Sequence, residues 1–284
     1  MFDTVVRLVN AVELSLVPCF GREGRQAVSK ARFSVFVVVA GIVMAALASS
    51  PAWAVLLKAA DWQMNETEGP MLDSSSNNNN GTPKNVVQGV QEDIDGDGVA
   101  ESTYAFNGLT TPASRVEVPD ADSLDPKAND ITLTARVKVN GTSLDDDSYD
   151  VVRKGFVTTE GGDYKMEIKR VKADPTIGKL HCFFRGTLED GTDDSVARVA
   201  LPDVVDGSWH TLRCEKTSDS VVATVDGRSF TTSGSAGSID NPSDVWVGAK
   251  TVTLTRRGVE RGDDVFDGLM DFVSIEIAQP DPAQ

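Results

Sequence analysis

Residues 206–227 read DGSWHTLRCEKTSDSVVATVDG. From Ser208 the side chains alternate, with Trp209, Thr211, Arg213 and Glu215 on one side and His210, Leu212, Cys214 and Lys216 on the other. A period of two marks a strand, because helical side chains recur near every 3.6 residues. Ser218, Asp219 and Ser220 supply polar turn chemistry before a second run at residues 221–225, and Asp226-Gly227 favours a tight turn after it. Two strands joined by so short a polar connection should pair as a hairpin.

Outward from that hairpin the same pattern recurs. Ile131, Leu133, Ala135, Val137 and Val139 face one way, while Thr132, Thr134, Arg136 and Lys138 face the other. Such a strand buries one face and wets the other. Further strands are expected near Trp62 and at residues 104–106, 116–118, 149–154, 164–171, 180–184, 195–201, 229–232, 245–247, 251–255 and 269–277. Between them, residues 73–82 (DSSSNNNNGT) read as an exposed loop, residues 86–89 as loop, and residues 256–264 as a charged insertion. No stretch after residue 54 keeps a helical period for three turns. The expected class is all-β, a two-sheet antiparallel β-sandwich or jelly roll.

The acidic-Gly-x-Trp-His opening, the apolar strand, the short turn and the closing Val-Asp-Gly resemble the laminin G-like modules of the concanavalin A-like lectin/glucanase superfamily. Other pieces look similar in the family's order: Trp62 to Glu66 with Leu72-Asp73-Ser74, Tyr104 to Gly108 followed by Val116 to Pro119, Val245 to Gly248, and Phe266 to Val273. The resemblance covers residues 60–278. It implies a jelly roll of the bacterial secreted type and says less about function, since one fold hosts many activities.

Residues 1–32 carry Arg22, Arg25, Lys30 and Arg32, and residues 33–48 are apolar apart from Ser34. Basic then apolar is the order of an export signal, and the apolar run falls short of the ~20 residues that span a bilayer. Ala52-Trp53-Ala54 is an Ala-x-Ala pattern that places cleavage after Ala54; an uncleaved anchor is the other reading. The expected organisation is a leader at 1–54, one laminin G-like domain at 55–278 and a tail at 279–284, with the mature protein secreted. The net charge of the chain is −16, and past residue 54 there remain 22 basic against 40 acidic side chains, a net of −18. That surface repels phosphate backbones and anionic lipid, so neither nucleic acid nor a membrane is expected as a partner.

Cys19 falls in the leader, which leaves Cys182 and Cys214 for the domain, both within expected strands. In an exported protein a disulfide between neighbouring strands is the natural pairing, and family members often carry a cysteine before and another within the Trp-His strand. Two free thiols or a metal pair are the alternatives, the latter without a His or Cys to complete a zinc set.

Asp93, Asp95 and Asp97, the carbonyl of Val99 and Glu101 match the first positions of an EF-hand-type calcium loop, whose hard oxygens suit Ca²⁺. Position twelve is Tyr104, where a bidentate carboxylate belongs, and no helices flank the loop. A calcium site completed from elsewhere and a metal-free acidic turn both remain open. Asn65-Glu66-Thr67 and Asn140-Gly141-Thr142 fit the N-glycosylation pattern.

For catalysis, hydrolysis of a glycoside needs two carboxyl groups across a cleft. No strand alternates acidic residues as the glucanase relatives do; Glu167 stands alone before Lys169 and Arg170. His210 and His181 read as structural, and Trp62, Trp209 and Trp246 as core residues because each lies in a strand matching a core motif. No catalytic residue is assigned. The expected function is a secreted non-catalytic module that binds a glycan or an extracellular protein, with calcium as a candidate organiser. The alternatives are an interaction module of the cell envelope without a small ligand and a divergent hydrolase or lyase.

Overall fold

A strand with one apolar face satisfies its backbone by pairing and its face by burial, so many such strands must stack as layers. The computed structural model describes residues 55–108, 111–140, 148–254 and 260–279; the expected leader with Cys19 and its cleavage point, and residues 280–284 of the tail, lie outside them. The first strands are β1 (Val55–Trp62), β2 (Thr82–Lys84), β3 (Val87–Glu92), β4 (Glu101–Asn107), β5 (Arg115–Val118) and β6 (Ile131–Val139). Then come β7 (Ser148–Lys154), β8 (Asp163–Val171), β9 (Asp174–Thr187), β10 (Asp193–Val199), β11 (Trp209–Lys216) and β12 (Ser220–Val225). The chain closes with β13 (Arg228–Ser233), β14 (Val245–Val247), β15 (Thr251–Leu254), β16 (Glu260–Asp263) and β17 (Asp267–Gln279).

One sheet has the order β13-β12-β11-β6-β17-β4-β3, with β1 also pairing β17, and the other the order β10-β9-β8-β7-β14-β5-β2. All pairings among these strands are antiparallel. The expected β-sandwich is therefore present. Residues 209–216 pair with both β12 and β6, so the hairpin forms as its alternation requires. Leu133, Ala135 and Val137 from β6 and Leu212 and Cys214 from β11 share one core with Tyr164, Met166 and Ile168 from β8 and Leu180 and Phe184 from β9.

Several details differ from expectation. Residues 87–92 form a strand, of which residues 87–89 fall where loop was expected. Among the described residues the strand lies at a sheet edge and pairs only with β4, leaving its residues half-exposed or exposed, so it has no apolar alternation to read. Its register shifts between Gln88 and Val90. Gly89 sits there at φ 74° with a Cβ position only 2.8 Å from Thr67 Cγ2, so the bulge requires glycine. Residues 260–263 pair with β15 rather than standing as a mere insertion. The polar loop is not wholly exposed: Asn79 is buried, and its carbonyl accepts from Trp62 Nε1 at 2.7 Å.

Cys182 and Cys214 are bonded, with Cα atoms 5.4 Å apart. The bond joins β9 to β11 and thus one sheet to the other, not neighbours within a sheet as expected. Stacked sheets normally lie ~10 Å apart, so the layers are pinched together at this point. Closing a loop of 32 residues contributes about 3–4 kcal/mol in the chain-entropy picture.

Candidate functional site

Three places bring functional side chains together. The first is the β3–β4 connection. One carboxylate oxygen from each of Asp93, Asp95 and Asp97 lies within 4.8 Å of the others, and all three residues are exposed. The loop is held by its own backbone: Asp93 accepts from Gly96 N at 2.8 Å and Gly98 N at 3.0 Å, and Asp97 from Val99 N at 2.7 Å. Glu101 is spent on Ile94 N at 3.1 Å and does not join the cluster. Arg136 from β6 donates to the Ile94 carbonyl at 3.0 Å, which anchors the loop against the sheet. Tyr104 is buried with its hydroxyl on Glu66 at 2.7 Å, so position twelve offers no ligand. Three aspartates thus fit a hard cation in part.

The second place is a charge network on the seven-stranded sheet. The β7–β8 register sets Asp150 opposite Glu167, and one oxygen from each lies within 4.8 Å of one from Asp264. All three residues are buried. Arg153 donates to Asp150 Oδ2 at 2.6 Å, while Asp150 Oδ1 has no hydrogen-bond partner among the described residues. Glu167 takes His181 Nδ1 at 2.6 Å, Lys165 at 2.8 Å and Lys169 at 3.2 Å. Burial pushes Asp150 up to about 6 despite Arg153, helped by the charge of Glu167. Burial also pushes Glu167 upward, but the His181 hydrogen bond and Lys165 outweigh it and hold the group well below the carboxylate range. Two carboxyls with opposed shifts are what acid-base pairs look like. Here, however, both are shut away from solvent and Glu167 is saturated by cations, so no substrate bond could lie between them. No sequence signal marks this cluster, since it depends on strand register across separate elements.

The third place is a groove of about 430 Å³ where the inward faces of the two sheets end. Thr187, the last residue of β9, and Lys216, the last of β11, line it together with Leu188, Glu189, Ala128, Ser218, and Ser235, Gly237 and Ser238 from the segment 235–238. That segment is stitched across the rim: Ser238 exchanges backbone hydrogen bonds with Thr187 at 2.8 and 2.9 Å, and Ile239 with Lys127 at 3.0 and 2.9 Å. The close approach needs glycine, because a Cβ on Gly186 would meet the Ser238 carbonyl at 2.3 Å and one on Gly237 (φ 67°) the Thr187 carbonyl at 2.4 Å. Lys216 is 2% exposed. Burial lowers its ammonium below the ordinary lysine value, outweighing the opposing pull of Asp130. The alternation of residues 209–216 does place Lys216 on the inward side, but nothing in the sequence shows a groove above it.

The remaining candidates are structural. His210 is buried between Asp226 Oδ2 at 2.7 Å and Asp206 Oδ1 at 3.0 Å, tying the two ends of the hairpin. Burial lowers its pKa and the two aspartates more than reverse this, so it sits above the usual histidine value. Trp62 is fully buried as expected, but Trp209 and Trp246 are not core residues. Both point out of their sheets and are half-buried, Trp246 beneath the Arg115 guanidinium at 5.6 Å. The motif gives strand position, whereas the face depends on register.

No protein-family model matches the chain, and no curated protein sequence matches it. Among solved structures it is similar to the binding domain of Paraclostridial Mosquitocidal Protein 1, with a TM-score of 0.53 and 16% identity over 78% of this chain and 49% of that one. The chain thus spans about half the length of that structure. It also matches Domain 4 of AbnA, a GH43 extracellular arabinanase from Geobacillus stearothermophilus, at TM-score 0.48 and 16% identity over 81% of this chain and 96% of that one. Mouse laminin alpha1 domains LG4-5 match at TM-score 0.42 and 18% identity over 64% and 43% of the two chains. At this identity the first likeness establishes a shared fold.

Proposed function

We propose that the chain is a secreted, non-catalytic binding module of the laminin G-like type, and that it takes a glycan at the rim groove. The observation that carries this is the groove itself, with the Ser218 and Ser238 hydroxyls lining it uncommitted to any protein partner among the described residues. Sugar hydroxyls need such paired donors and acceptors, and a few well-placed polar groups in a concavity fix a ligand's orientation. An inter-sheet disulfide suits an exported chain, because such bonds persist in oxidising surroundings. The fold shared with a toxin's binding domain agrees with this reading and gives no specificity. Calcium at Asp93, Asp95 and Asp97 is a separate element of the proposal, supported by their convergence.

A glycan array probed with the protein, with and without calcium, tests both parts. Ser218→Trp, which places a bulky side chain at an exposed turn beside the groove, should abolish the signals, and Asp95→Ala should remove any calcium dependence. Equal signals from Ser218→Trp and the parent would remove the groove from the reading.

A further inference from the structure

Lys216 ends the inward face of β11 after His210, Leu212 and Cys214. Burying an ammonium costs several kcal/mol unless carboxylates and acceptors surround it. Its three N–H donors find one acceptor, the Asn129 carbonyl at 3.1 Å, and among the described residues no carboxylate lies in ion-pair reach of it. The buried Lys154, by contrast, is held by Asp120 at 2.7 Å, Asp125 at 2.9 Å and the Asn241 carbonyl. Two donors of Lys216 are therefore left over, and Lys216 lines the groove. From these observations, and resting on the groove reading above, we infer that Lys216 is the anchor for a carboxylate-bearing sugar whose ring hydroxyls meet Ser218 and Ser238.

The surrounding charge narrows the ligand further. Glu189 stands at the groove and the chain past residue 54 carries a net of −18, so a polyanion running over the surface is repelled. Screening over ~8–10 Å leaves one carboxylate seated against a buried ammonium little affected. The site therefore favours a singly charged, hydroxyl-rich residue over a heavily sulfated chain. A carboxylate with two lone pairs on each oxygen can take both spare N–H groups and brings a counter-charge into contact, where Asp130 acts only from a distance. The carboxylate can belong to a uronic acid or to a sialic acid.

Calorimetry with the full chain separates these. Galacturonate or 3′-sialyllactose should bind, the one that binds naming the source, while the methyl ester of the first and lactose should bind at least about tenfold more weakly. Lys216→Met should weaken acid-sugar binding roughly 30-fold or more, the loss expected when a buried charged partner is removed. Its circular dichroism should match the parent and its melting should fall little or not at all below it, which excludes unfolding as the cause. Acid and ester binding alike, unchanged binding in Lys216→Met, or no binding of either acid sugar would overturn the inference. In the first two cases, Ser218→Trp still blocking neutral sugars would leave the groove reading standing. Ser218→Trp without effect on any sugar would remove that reading as well.

Discussion

Two lysines are buried in this sandwich, and they are treated in opposite ways. Lys154, at the end of β7, has all three donors taken, by Asp120, Asp125 and the Asn241 carbonyl. Lys216, at the end of β11, has one donor taken and no carboxylate partner among the described residues. Both stand where a strand runs out, so position in the strand does not explain the difference. The surroundings do: Lys154 is wrapped by loops that carry acids, and Lys216 borders a groove. A buried charge neutralised by acids in contact with it is part of the scaffold, and one with no carboxylate in contact among the described residues, beside an open groove, is arranged for something that enters it.

The largest effect expected from breaking this contrast is at Lys154. Lys154→Met strands Asp125, which is buried and whose pKa burial already raises against the pull of Lys154. Removing one member of a buried pair costs about 3–5 kcal/mol, so denaturant unfolding should show a loss of that size. A loss under about 1 kcal/mol would mean that the Asp120–Asp125 corner is not a scaffold element, and the contrast would collapse from that side.

Asp150 tests an intermediate case, a buried acid with one oxygen on Arg153 and the other without a partner. Its folded pKa, about 6, lies above the ordinary aspartate value of 3.8, so between these values the folded chain holds a proton that the unfolded chain releases. Stability contributed by the neutral group is complete below about pH 4 and falls as pH rises to about 6, by about 3 kcal/mol in all. Asn at this position keeps an acceptor for Arg153 and does not titrate. The stability of Asp150→Asn relative to the parent should therefore improve by about 3 kcal/mol between pH 4 and pH 6. Parallel melting curves across that range would show Asp150 ionised throughout, leaving Lys216 the sharper exception.

The two regions also differ in how far they can be read from the chain. Residues 131–139 and 209–216 alternate because one face of each is buried, and that is why their strands and the inward position of Lys216 are legible. Cys182 and Cys214 are identifiable as partners, but the alternation carries no information on which sheet each strand joins, and the bond crosses between sheets. The acceptor of Lys216 lies 87 residues away in sequence, as does the Asn241 carbonyl on Lys154. Pairing at such distances follows from topology, which no local pattern encodes. The edge strand β3 was hidden for the opposite reason, since a half-exposed strand interrupted by Gly89 carries no period to detect. In the Asp93 to Glu101 stretch the spacing does bring three aspartates together, while Glu101 goes to the backbone of Ile94 because nothing in the motif reserves it.

The smallest expected effect is the most discriminating. Lys216→Met replaces a buried ammonium by an apolar chain of similar length at the end of an otherwise inward-facing row. If Lys216 were scaffold like Lys154, its loss would cost several kcal/mol through the orphaned Asn129 carbonyl and a broken pair. No such pair exists among the described residues, and a carbonyl at a half-exposed residue can turn to water, so the cost of that one hydrogen bond is about 1 kcal/mol. Relief of the unpaired ammonium works in the opposite direction. The two should leave unfolding free energy within about 1 kcal/mol of the parent, or raise it. Denaturant curves for Lys216→Met and Lys154→Met measured side by side give the comparison directly: near-equal losses would make both lysines structural, whereas a loss at Lys154 alone leaves Lys216 with no folding role to explain its burial.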